Sequence, residues 1–505
     1  MVSMSCPYSD RLSGRGRLLR ALCATGGVAL AQLAGCGGGG SSLVGEPDAA
    51  RDGIVTQSDA KATHRDAPTT EGEAGAHDGG NPSKPDSANA HADASSDAPT
   101  GTMKDAEVDG RVDAPPRNHG DASTTYPAFT PNLPRVVDNG GAVLAAPQIV
   151  TVTWPNETNV EEFEAFGDLL GQGAYWAATT SEYGIGPAVS GPSNHVRLTE
   201  LPLATMSDVD VSNFIINNVT NYQTSGWPAP TPNSYYVLYL SAQTDLTFGT
   251  SNACSSAGGY HDTVVVNGVD TVYAVIPHCQ ADGTTETLAA SHEIVEGSGD
   301  PHPGDLPAYL GFDTDHLAWD IWGSFQDELG DACEFYLSSQ FQESFSDDGG
   351  AQSFVVQRTW SNANAALGHD PCQPAVPGPY YNVAPLDLET ISLTLTGELE
   401  NGVVQTQGYH IGLGETKTFP IGLYSDGPTG GPWTLSASED SALGPLGGPY
   451  LTISLDTTSG QNGDIAYVTV TVNSINTSLS GELVTIASQL GSGPVNTLPI
   501  LISSN

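Results

Sequence analysis

The predicted fold depends most on the stretch Thr285-Glu286-Thr287-Leu288-Ala289-Ala290-Ser291-His292-Glu293-Ile294-Val295-Glu296. No residue in it breaks a helix, and Gly297-Ser298-Gly299-Asp300-Pro301 predicts where the helix ends. His292 and Glu296 are four residues apart, so they share one face of this helix. An imidazole and a carboxylate one turn apart can bind a single metal ion. The pattern is that of the H-E-x-x-H zinc helix, with glutamate in place of the second histidine.

The chemistry that this helix predicts is metal-assisted hydrolysis. A hydrolytic zinc site needs three protein ligands, an open position for water and a base that takes a proton from that water. His292 and Glu296 would be two of the ligands, and Glu293 would be the catalytic base because it directly follows the first ligand. With a second carboxylate as third ligand, bound water is less acidic than in a histidine-rich site. Zinc is the expected cofactor, and manganese or calcium are the alternatives that an oxygen-rich site favours.

Three residues downstream of the helix are candidates for the third ligand. Glu328 is the predicted one, because a glutamate far downstream on a second element is the arrangement of gluzincin-type metalloproteases. Asp331 would then orient His292 from outside the ligand set. His302 is the alternative, because it follows the helix at the metzincin spacing, although the methionine turn that metzincins add downstream is missing here. His316 is a further alternative.

The first 35 residues resemble a bacterial lipoprotein signal peptide. A basic segment with four arginines precedes a short apolar segment over residues 21–33, and Leu33-Ala34-Gly35-Cys36 has the form of a lipobox. Cys36 would be acylated and become the mature N-terminus, and two or more acyl chains would anchor it stably to a membrane. Because Gly37 and not aspartate follows Cys36, we expect the outer membrane and the cell surface of a bacterial envelope.

Residues 36–125 predict a disordered acidic tether, since Ala, Asp, Ser, Gly and Pro dominate and few residues could form a core. The chain has 15 Lys and Arg and a formal net charge of -43. After the tether the basic residues are only Arg135, Arg197, Arg358 and Lys417. Such an acidic surface excludes nucleic acid and anionic lipid headgroups as partners.

Four cysteines remain after the signal peptide and the lipobox. An even number in an exported chain predicts two disulfides rather than a metal site, because no pair has C-x-x-C spacing. Four cysteines allow three connectivities, and proximity in sequence favours the pairs Cys254–Cys279 and Cys333–Cys372. His261 and His278 flank the strands near the first pair, and both are predicted to be buried structural histidines.

Residues 126–374 predict an α/β domain. Continuous apolar runs at residues 235–240 and 272–276 are typical of buried strands, and residues 159–172 have helical apolar spacing. Residues 375–505 instead predict an all-β sandwich of immunoglobulin-like type. Its expected role is that of a spacer, and the alternatives are a binder of carbohydrate or cell wall and a cover for the first domain. Its alternating strands, separated by Gly, Asn, Asp and Ser, are expected near residues 391–395, 451–455, 466–472 and 483–486.

Several of these local patterns occur together and in a fixed order. They are Gly258-Gly259-Tyr260-His261, the helix from Ser291 to Glu296 with Asp300-Pro301, and Glu328-Leu329-Gly330-Asp331-Ala332-Cys333-Glu334 followed by Cys372. The order and spacing resemble the Exordium, or phosphate-induced, family of secreted plant proteins and its bacterial relatives. The resemblance covers roughly residues 126–374 and implies a zincin-like domain of the H-E-x-x-E type, associated with the cell wall. It also supports Glu328 and Asp331 as residues of the site.

Two functions follow as hypotheses. The first is a surface-anchored, metal-dependent hydrolase of metallopeptidase type, with a peptide or a cell-wall glycan as substrate; the helix and its downstream acids favour it. The second is a non-catalytic adhesion or binding lipoprotein that uses a degenerate zincin-like scaffold to bind glycan or protein. The exchange of the second histidine for Glu296 and the appended β-sandwich favour the second hypothesis.

Overall fold

The computed structural model describes residues 123–504, except for 249–250, 256–257, 280–283, 304–305, 324–327, 335, 337, 348–349, 397–400, 441–448 and 476–480. The predicted signal peptide, the acylated Cys36 and all but the last residues of the predicted tether lie outside the described residues. Within the described part of the chain, no helix is both long enough and apolar enough to cross a membrane.

Residues 126–374 contain both helices and strands. The helices are α1 (Val160–Leu170), α2 (Ala174–Thr180), α3 (Asp208–Thr220), α4 (Tyr222–Ser225), α5 (Thr284–Gly299), α6 (Leu317–Trp322), α7 (Asp331–Glu334) and α8 (Asn362–Leu367). The strands are β1 (Val136–Asp138), β2 (Gln148–Thr153), β3 (His195–Arg197), β4 (Thr205–Ser207), β5 (Ser234–Tyr239), β6 (Asp245–Phe248), β7 (Ser251–Asn252), β8 (Tyr260–Val266), β9 (Val269–Ile276), β10 (Tyr309–Phe312), β11 (Gln340–Asp347), β12 (Gly350–Gln357), β13 (Thr359–Trp360) and β14 (Cys372–Gln373).

A five-stranded sheet with the order β3-β2-β5-β9-β8 carries the helices of this region. The four strands β3, β2, β5 and β9 are parallel, and β8 is an antiparallel edge strand. The chain runs from β2 to its neighbour β3 and later returns to β5 on the other side of β2. The order of strands therefore reverses between β2 and β5, at the carboxyl ends of both.

The apolar runs of β5 and β9 are buried on both faces of the sheet. Tyr235 and Val237 of β5 belong to a core that includes residues of α1 and α5. Tyr236 and Leu238 point to the opposite face, into a core that includes Val211 and its neighbours on α3. Helices on both faces remove the need for polar residues on either side, which explains why these strands are continuous apolar runs.

Residues 375–504 form the predicted all-β part. Its strands are β15 (Tyr381–Pro385), β16 (Glu389–Thr396), β17 (Asn401–His410), β18 (Thr416–Ser425), β19 (Trp433–Asp440), β20 (Leu451–Leu455), β21 (Ser459–Gly460), β22 (Ile465–Val472), β23 (Gly481–Gln489) and β24 (Val495–Ser503). They form one sheet with the order β15-β18-β22-β20 and another with the order β16-β17-β24-β23-β19-β21. The four strands that the sequence predicts fall within β16, β20, β22 and β23.

The all-β part contacts the preceding region through α6. Leu317, Ala318 and Ile321 of this helix form a buried cluster with four side chains from three strands of the second sheet, Ile391, Leu393, Leu483 and Leu501. All described residues belong to one unit of the chain.

Asn462 attaches the beginning of the described chain to the all-β part. Its side-chain amide donates hydrogen bonds to the carbonyl oxygens of Ser123 (3.1 Å) and Thr125 (2.9 Å). Its side-chain oxygen accepts from the backbone N–H groups of Ala128 (3.1 Å) and Ser425 (3.0 Å). The N–H of Ser123 also donates to the backbone oxygen of Asn462. One buried side chain therefore holds the entering segment at Ser123, Thr125 and Ala128.

Both disulfides that sequence proximity favours are present, which confirms that prediction. Cys254–Cys279 joins the segment after β7 to the segment after β9, and Cys333–Cys372 joins α7 to β14. The Cα–Cα distances, 5.4 and 5.8 Å, are ordinary for disulfides.

Candidate metal centre

The α5 helix ends at Gly299, within the Gly297–Pro301 stretch that predicts its end. In the structure Gly297 packs against the ring of Tyr235, and Gly299 packs against Leu329 at a distance that leaves no room for a Cβ. The glycines are therefore close-approach positions within the helix, and tertiary packing outweighs their low helix propensity.

His292, Glu296 and Asp331 form a group of potential metal ligands. His292 Nε2 lies 2.9 Å from Glu296 Oε2 and 3.5 Å from Asp331 Oδ1. Two ligands of one ion at about 2.1 Å lie roughly 3.0–3.4 Å from each other. Both distances from His292 Nε2 lie close to that spacing, all three donor atoms lie within 4.8 Å of one another, and their residue types fit zinc or manganese.

Gln357 orients the imidazole of His292. Its amide N–H donates to the carbonyl oxygen of Gly330 (2.8 Å), which leaves its side-chain oxygen as the acceptor 3.1 Å from His292 Nδ1. The Nδ1 atom therefore carries a proton, and Nε2 is the atom that faces the two carboxylates. The sequence analysis did not identify Gln357, because no motif places the end of β12 beside α5.

The turn before α7 closes tightly over α5. The backbone N–H groups of Gly330 and Asp331 donate to Glu296 Oε1 at 2.9 and 3.0 Å, which leaves Oε2 for His292. A Cβ at position 330 would lie 2.7 Å from both Glu296 Oε1 and His292 Nδ1, so the turn can approach only because residue 330 is glycine. The E-x-G-D pattern in the sequence thus has a steric cause.

His261 forms a second group with Glu293 and Glu296. Its Nδ1 lies 3.2 Å from Glu293 Oε2 and 3.9 Å from Glu296 Oε2. Its Nε2 lies 3.2 Å from the carbonyl oxygen of Asp300 and 3.7 Å from Glu328 Oε2. Both ring nitrogens face acceptors, so His261 is an imidazolium that donates from both. The prediction of a buried structural histidine was incomplete, because His261 is buried within the acidic cluster itself.

The predicted third ligand, Glu328, lies on the His261 side of the cluster and does not belong to the His292 group. Asp331, predicted to act from outside the ligand set, contacts His292 directly. The two alternatives lie elsewhere in the described structure. His302 faces Asp270 at 3.4 Å, and His316 contacts Asp313 at 2.6 Å and Asn132 at 3.3 Å.

Burial and the crowding of acids shift the protonation of the cluster. Burial lowers the pKa of His261, but Glu328 and the α5 glutamates outweigh burial and raise that pKa to about 10. Burial likewise lowers the pKa of His292, and Glu296 and Asp331 raise it well above its usual value. Burial raises the pKa values of Glu328 and Asp331. Glu328 and Asp331 are thus short of compensating positive charge.

No lysine or arginine of the described region supplies that charge. Arg197 pairs with Glu164, Arg358 with Asp370 and Lys417 with Glu389, all outside the cluster. Uncompensated buried charge costs several kcal/mol per ion, in order of magnitude. Four carboxylates around two imidazoles therefore need either protons or a bound cation, and the His292 group has the donor set and spacing for a cation.

Comparisons with known proteins add little. No protein-family model matches the chain, and no curated protein matches it. Among solved structures, domains 4 and 5 of the S-layer protein SbsC are 14% identical over 32% of this chain and 90% of that chain, with a TM-score of 0.14. A Bacteroides ovatus GH5 xyloglucanase in complex with a XXXG heptasaccharide is 19% identical over 19% and 17%, with a TM-score of 0.12. A Porphyromonas gingivalis W83 protein of unknown function is 15% identical over 34% and 82%, with a TM-score of 0.13. TM-scores this low do not establish a shared fold.

Proposed function

We propose that the protein is a metal-dependent hydrolase of metallopeptidase type, with one divalent ion held on α5 in a zincin-like domain. The observation that carries this proposal is the spacing of His292 Nε2, Glu296 Oε2 and Asp331 Oδ1, at 2.9 and 3.5 Å. Zinc is the expected ion, with manganese or calcium as alternatives. The third ligand comes from the turn over α5, as Asp331 or, after rearrangement, as the originally predicted Glu328.

Each residue around the ion would have a separate role in catalysis. A divalent ion supplies Lewis-acid polarisation of a scissile carbonyl and makes water more acidic. Glu293 would take the proton of the attacking water and return it to the leaving amine. His261, 3.2 Å from Glu293, holds that carboxylate in one orientation. Gln357 holds His292 with Nε2 toward the ion.

A second proposal is a non-catalytic surface protein that binds glycan or protein on the same scaffold. The burial of the cluster favours it, because Glu293, Glu296 and His261 each expose less than a tenth of their surface. A cavity of about 240 Å³ lies elsewhere, lined by Asp168, Gln172, Ser190 and Phe345 among others, and includes no residue of the cluster. A substrate would have to reach the cluster by another route.

The cellular setting is part of the proposal. Two disulfides support folding in an oxidising compartment, as expected for an exported chain. We propose that acylated Cys36 anchors the protein at the bacterial cell surface and that the all-β part is an immunoglobulin-like spacer. Peptide or cell-wall glycan would then be the partner outside the membrane.

The first test is metal analysis by mass spectrometry on the full-length chain purified without chelator, with zinc and manganese supplied in parallel. Wild type should retain an ion at the His292 centre that H292A loses, and H302A, outside the cluster, should retain it. Circular dichroism shows whether both variants fold. Wild type without metal under every supply would refute the proposed centre.

Hydrolysis of a peptide library separates the two functions. E293Q should keep the metal and lose turnover by at least about 100-fold, because general-base catalysis contributes that much. Full activity in E293Q would refute the assigned mechanism. Metal without any turnover, together with binding of cell-wall glycan, would establish the non-catalytic function instead.

A further inference from the structure

A second polar cluster lies at the carboxyl edge of the central sheet. Glu157 follows β2, His278 follows β9, and Glu286 lies in the first turn of α5. In open α/β sheets, ligands bind outside the carboxyl ends of the strands, near the point where the strand order reverses. That point lies here between β2 and β5. The cluster is therefore at the edge of the sheet where this architecture places binding sites.

Three buried donor atoms converge in this cluster. His278 Nδ1 lies 3.2 Å from Glu286 Oε1 and 3.9 Å from Glu157 Oε2. The side chains are 9%, 1% and 1% exposed. Although His278 and Glu286 are close, their angle does not allow a hydrogen bond, and none of the three atoms has a hydrogen-bond partner among the described residues.

The other oxygen of each carboxylate is already used. Glu157 Oε1 accepts from the N–H groups of Thr158 (2.7 Å) and Asn159 (2.9 Å), just before α1. Glu286 Oε2 accepts from the hydroxyl of Thr285 at 3.1 Å. Each carboxylate is thus held by one oxygen and presents the other to His278. Buried polar atoms left without a partner are costly, so such an arrangement indicates a missing ligand.

The surrounding loops are polar as well. Asn156 follows β2, and its amide donates to the hydroxyl of Ser241, which follows β5, at 2.9 Å. The side-chain oxygens of Asn156 and Thr244 are also buried without a hydrogen-bond partner among the described residues. The loops after two neighbouring parallel strands therefore both place oxygen atoms at this edge.

Charge identifies the class of ligand. Two carboxylates and a protonated His278 would leave one net negative charge buried, whereas a divalent cation with neutral imidazole balances both carboxylates. None of the basic residues that form ion pairs in the described structure belongs to this cluster. A proton on one carboxylate would also balance the charge, but only a cation gives all three unpartnered atoms a partner. The imidazole nitrogen favours a transition metal over magnesium or calcium.

We propose that Glu157, His278 and Glu286 bind a second divalent transition-metal ion, with zinc as the expected one. The site is separate from the centre at His292, because Glu286 and His292 are six positions apart on α5, about 9 Å along the helix axis. Ligands of one ion lie roughly 3.0–3.4 Å apart. Glu286 already has that spacing from His278, whereas Glu157 has to move closer to both, because the three atoms do not all lie within 4.8 Å of one another.

The role of this ion is structural. It joins the loop after β2, the end of β9 beside the Cys254–Cys279 disulfide and the first turn of α5. It thereby fixes the start of the helix that carries His292. The ion takes no part in hydrolysis, so this inference stands apart from the proposed function.

Metal stoichiometry on the full-length chain tests the inference, with Zn²⁺ or Mn²⁺ as the only probe. Wild type should bind two ions, H278Q one, H292A one, and the double variant none. A single ion in wild type that H292A loses and H278Q retains would overturn this inference and leave the proposed function intact. A single ion that H278Q loses and H292A retains would overturn the proposed function and leave this inference intact. No ion in wild type would overturn both.

Thermal unfolding gives a second readout that does not depend on H278Q folding. E286Q replaces a buried carboxylate by a neutral amide of the same shape, so metal-free E286Q should unfold at or above the Tm of metal-free wild type. In the H292A background, added zinc should raise the Tm, and in H292A/E286Q that shift should disappear. An equal zinc-induced shift in both would overturn the inference.

Discussion

Replacing Gly330 by alanine should loosen the candidate metal centre without touching a ligand. The backbone at this position is not among those with positive φ, so alanine meets no conformational barrier. Its methyl group would, however, lie 2.7 Å from Glu296 Oε1, 2.7 Å from His292 Nδ1 and 2.9 Å from His292 Cε1. All three atoms belong to the side chains that the proposed ion needs.

The size of the effect follows from these distances. Ordinary contacts of this kind are about 3.5 Å, so the turn must withdraw by roughly 0.5–0.8 Å. Overpacking of a buried site by one methyl group costs about 1–3 kcal/mol of unfolding free energy. The withdrawal also stretches the two backbone hydrogen bonds to Glu296, and loss of such support lowers metal affinity by about 10–100-fold.

Two measurements are made on each variant. Urea denaturation of the metal-free chain gives the free energy of unfolding, and titration with zinc gives the affinity. G431A is the matched control, because a Cβ there meets nothing within 4 Å and φ is not positive. The control should change stability by less than about 0.5 kcal/mol, as surface substitutions do, and leave affinity unchanged.

Equal stability of G330A and wild type would show that the turn does not pack on α5 as described. Reduced stability with unchanged zinc affinity would place the ion elsewhere than between His292, Glu296 and Asp331. Each result refutes a different step of the reasoning.

Two further predictions concern stability. Arg197 donates two hydrogen bonds to Glu164 (2.7 and 2.6 Å) and holds the pKa of that carboxyl below its usual value. This stabilisation is present above about pH 4.3, the ordinary glutamate pKa, and is lost as pH falls through the folded-state pKa. E164Q should thus lose about 1 kcal/mol at pH 7, a small value because Arg197 is more than half exposed, and urea denaturation should show the gap closing below pH 4; a constant gap contradicts this assignment. Removing Cys333–Cys372, which closes a loop of 39 residues, should cost about 4 kcal/mol in the same assay, and a loss below 1 kcal/mol would contradict a loop-entropy origin.

Much of the architecture is predictable because it depends on local periodicity. The buried runs of β5 and β9 and the alternation in β20 and β22 identify strands without knowledge of their neighbours. The last helical residue of α5 is not predictable in this way. Gly297 and Gly299 would end a helix on propensity alone, and they continue it because Tyr235 and Leu329 occupy the space of their missing side chains.

The residues of the candidate site are likewise predictable only where local periodicity brings them together. His292 and Glu296 meet because a helix brings residues four apart together, and the sequence suffices for that. His261 enters the cluster from β8, which requires knowing that β8 pairs with β9 and that α5 crosses that edge. The choice between Glu328 and Asp331 depends on the path of one tight turn, and spacing along the chain does not describe that path.

The attachment made by Asn462 has a mechanical consequence. Tension on the chain that precedes Ser123 would first reach the backbone of residues 123–128, where four hydrogen bonds join it to Asn462. Gly463 allows this close approach, since a Cβ there would lie 2.6 Å from the side chain of Ser123. The loop between β21 and β22 therefore takes up the tension before it reaches the parallel sheet that carries α5.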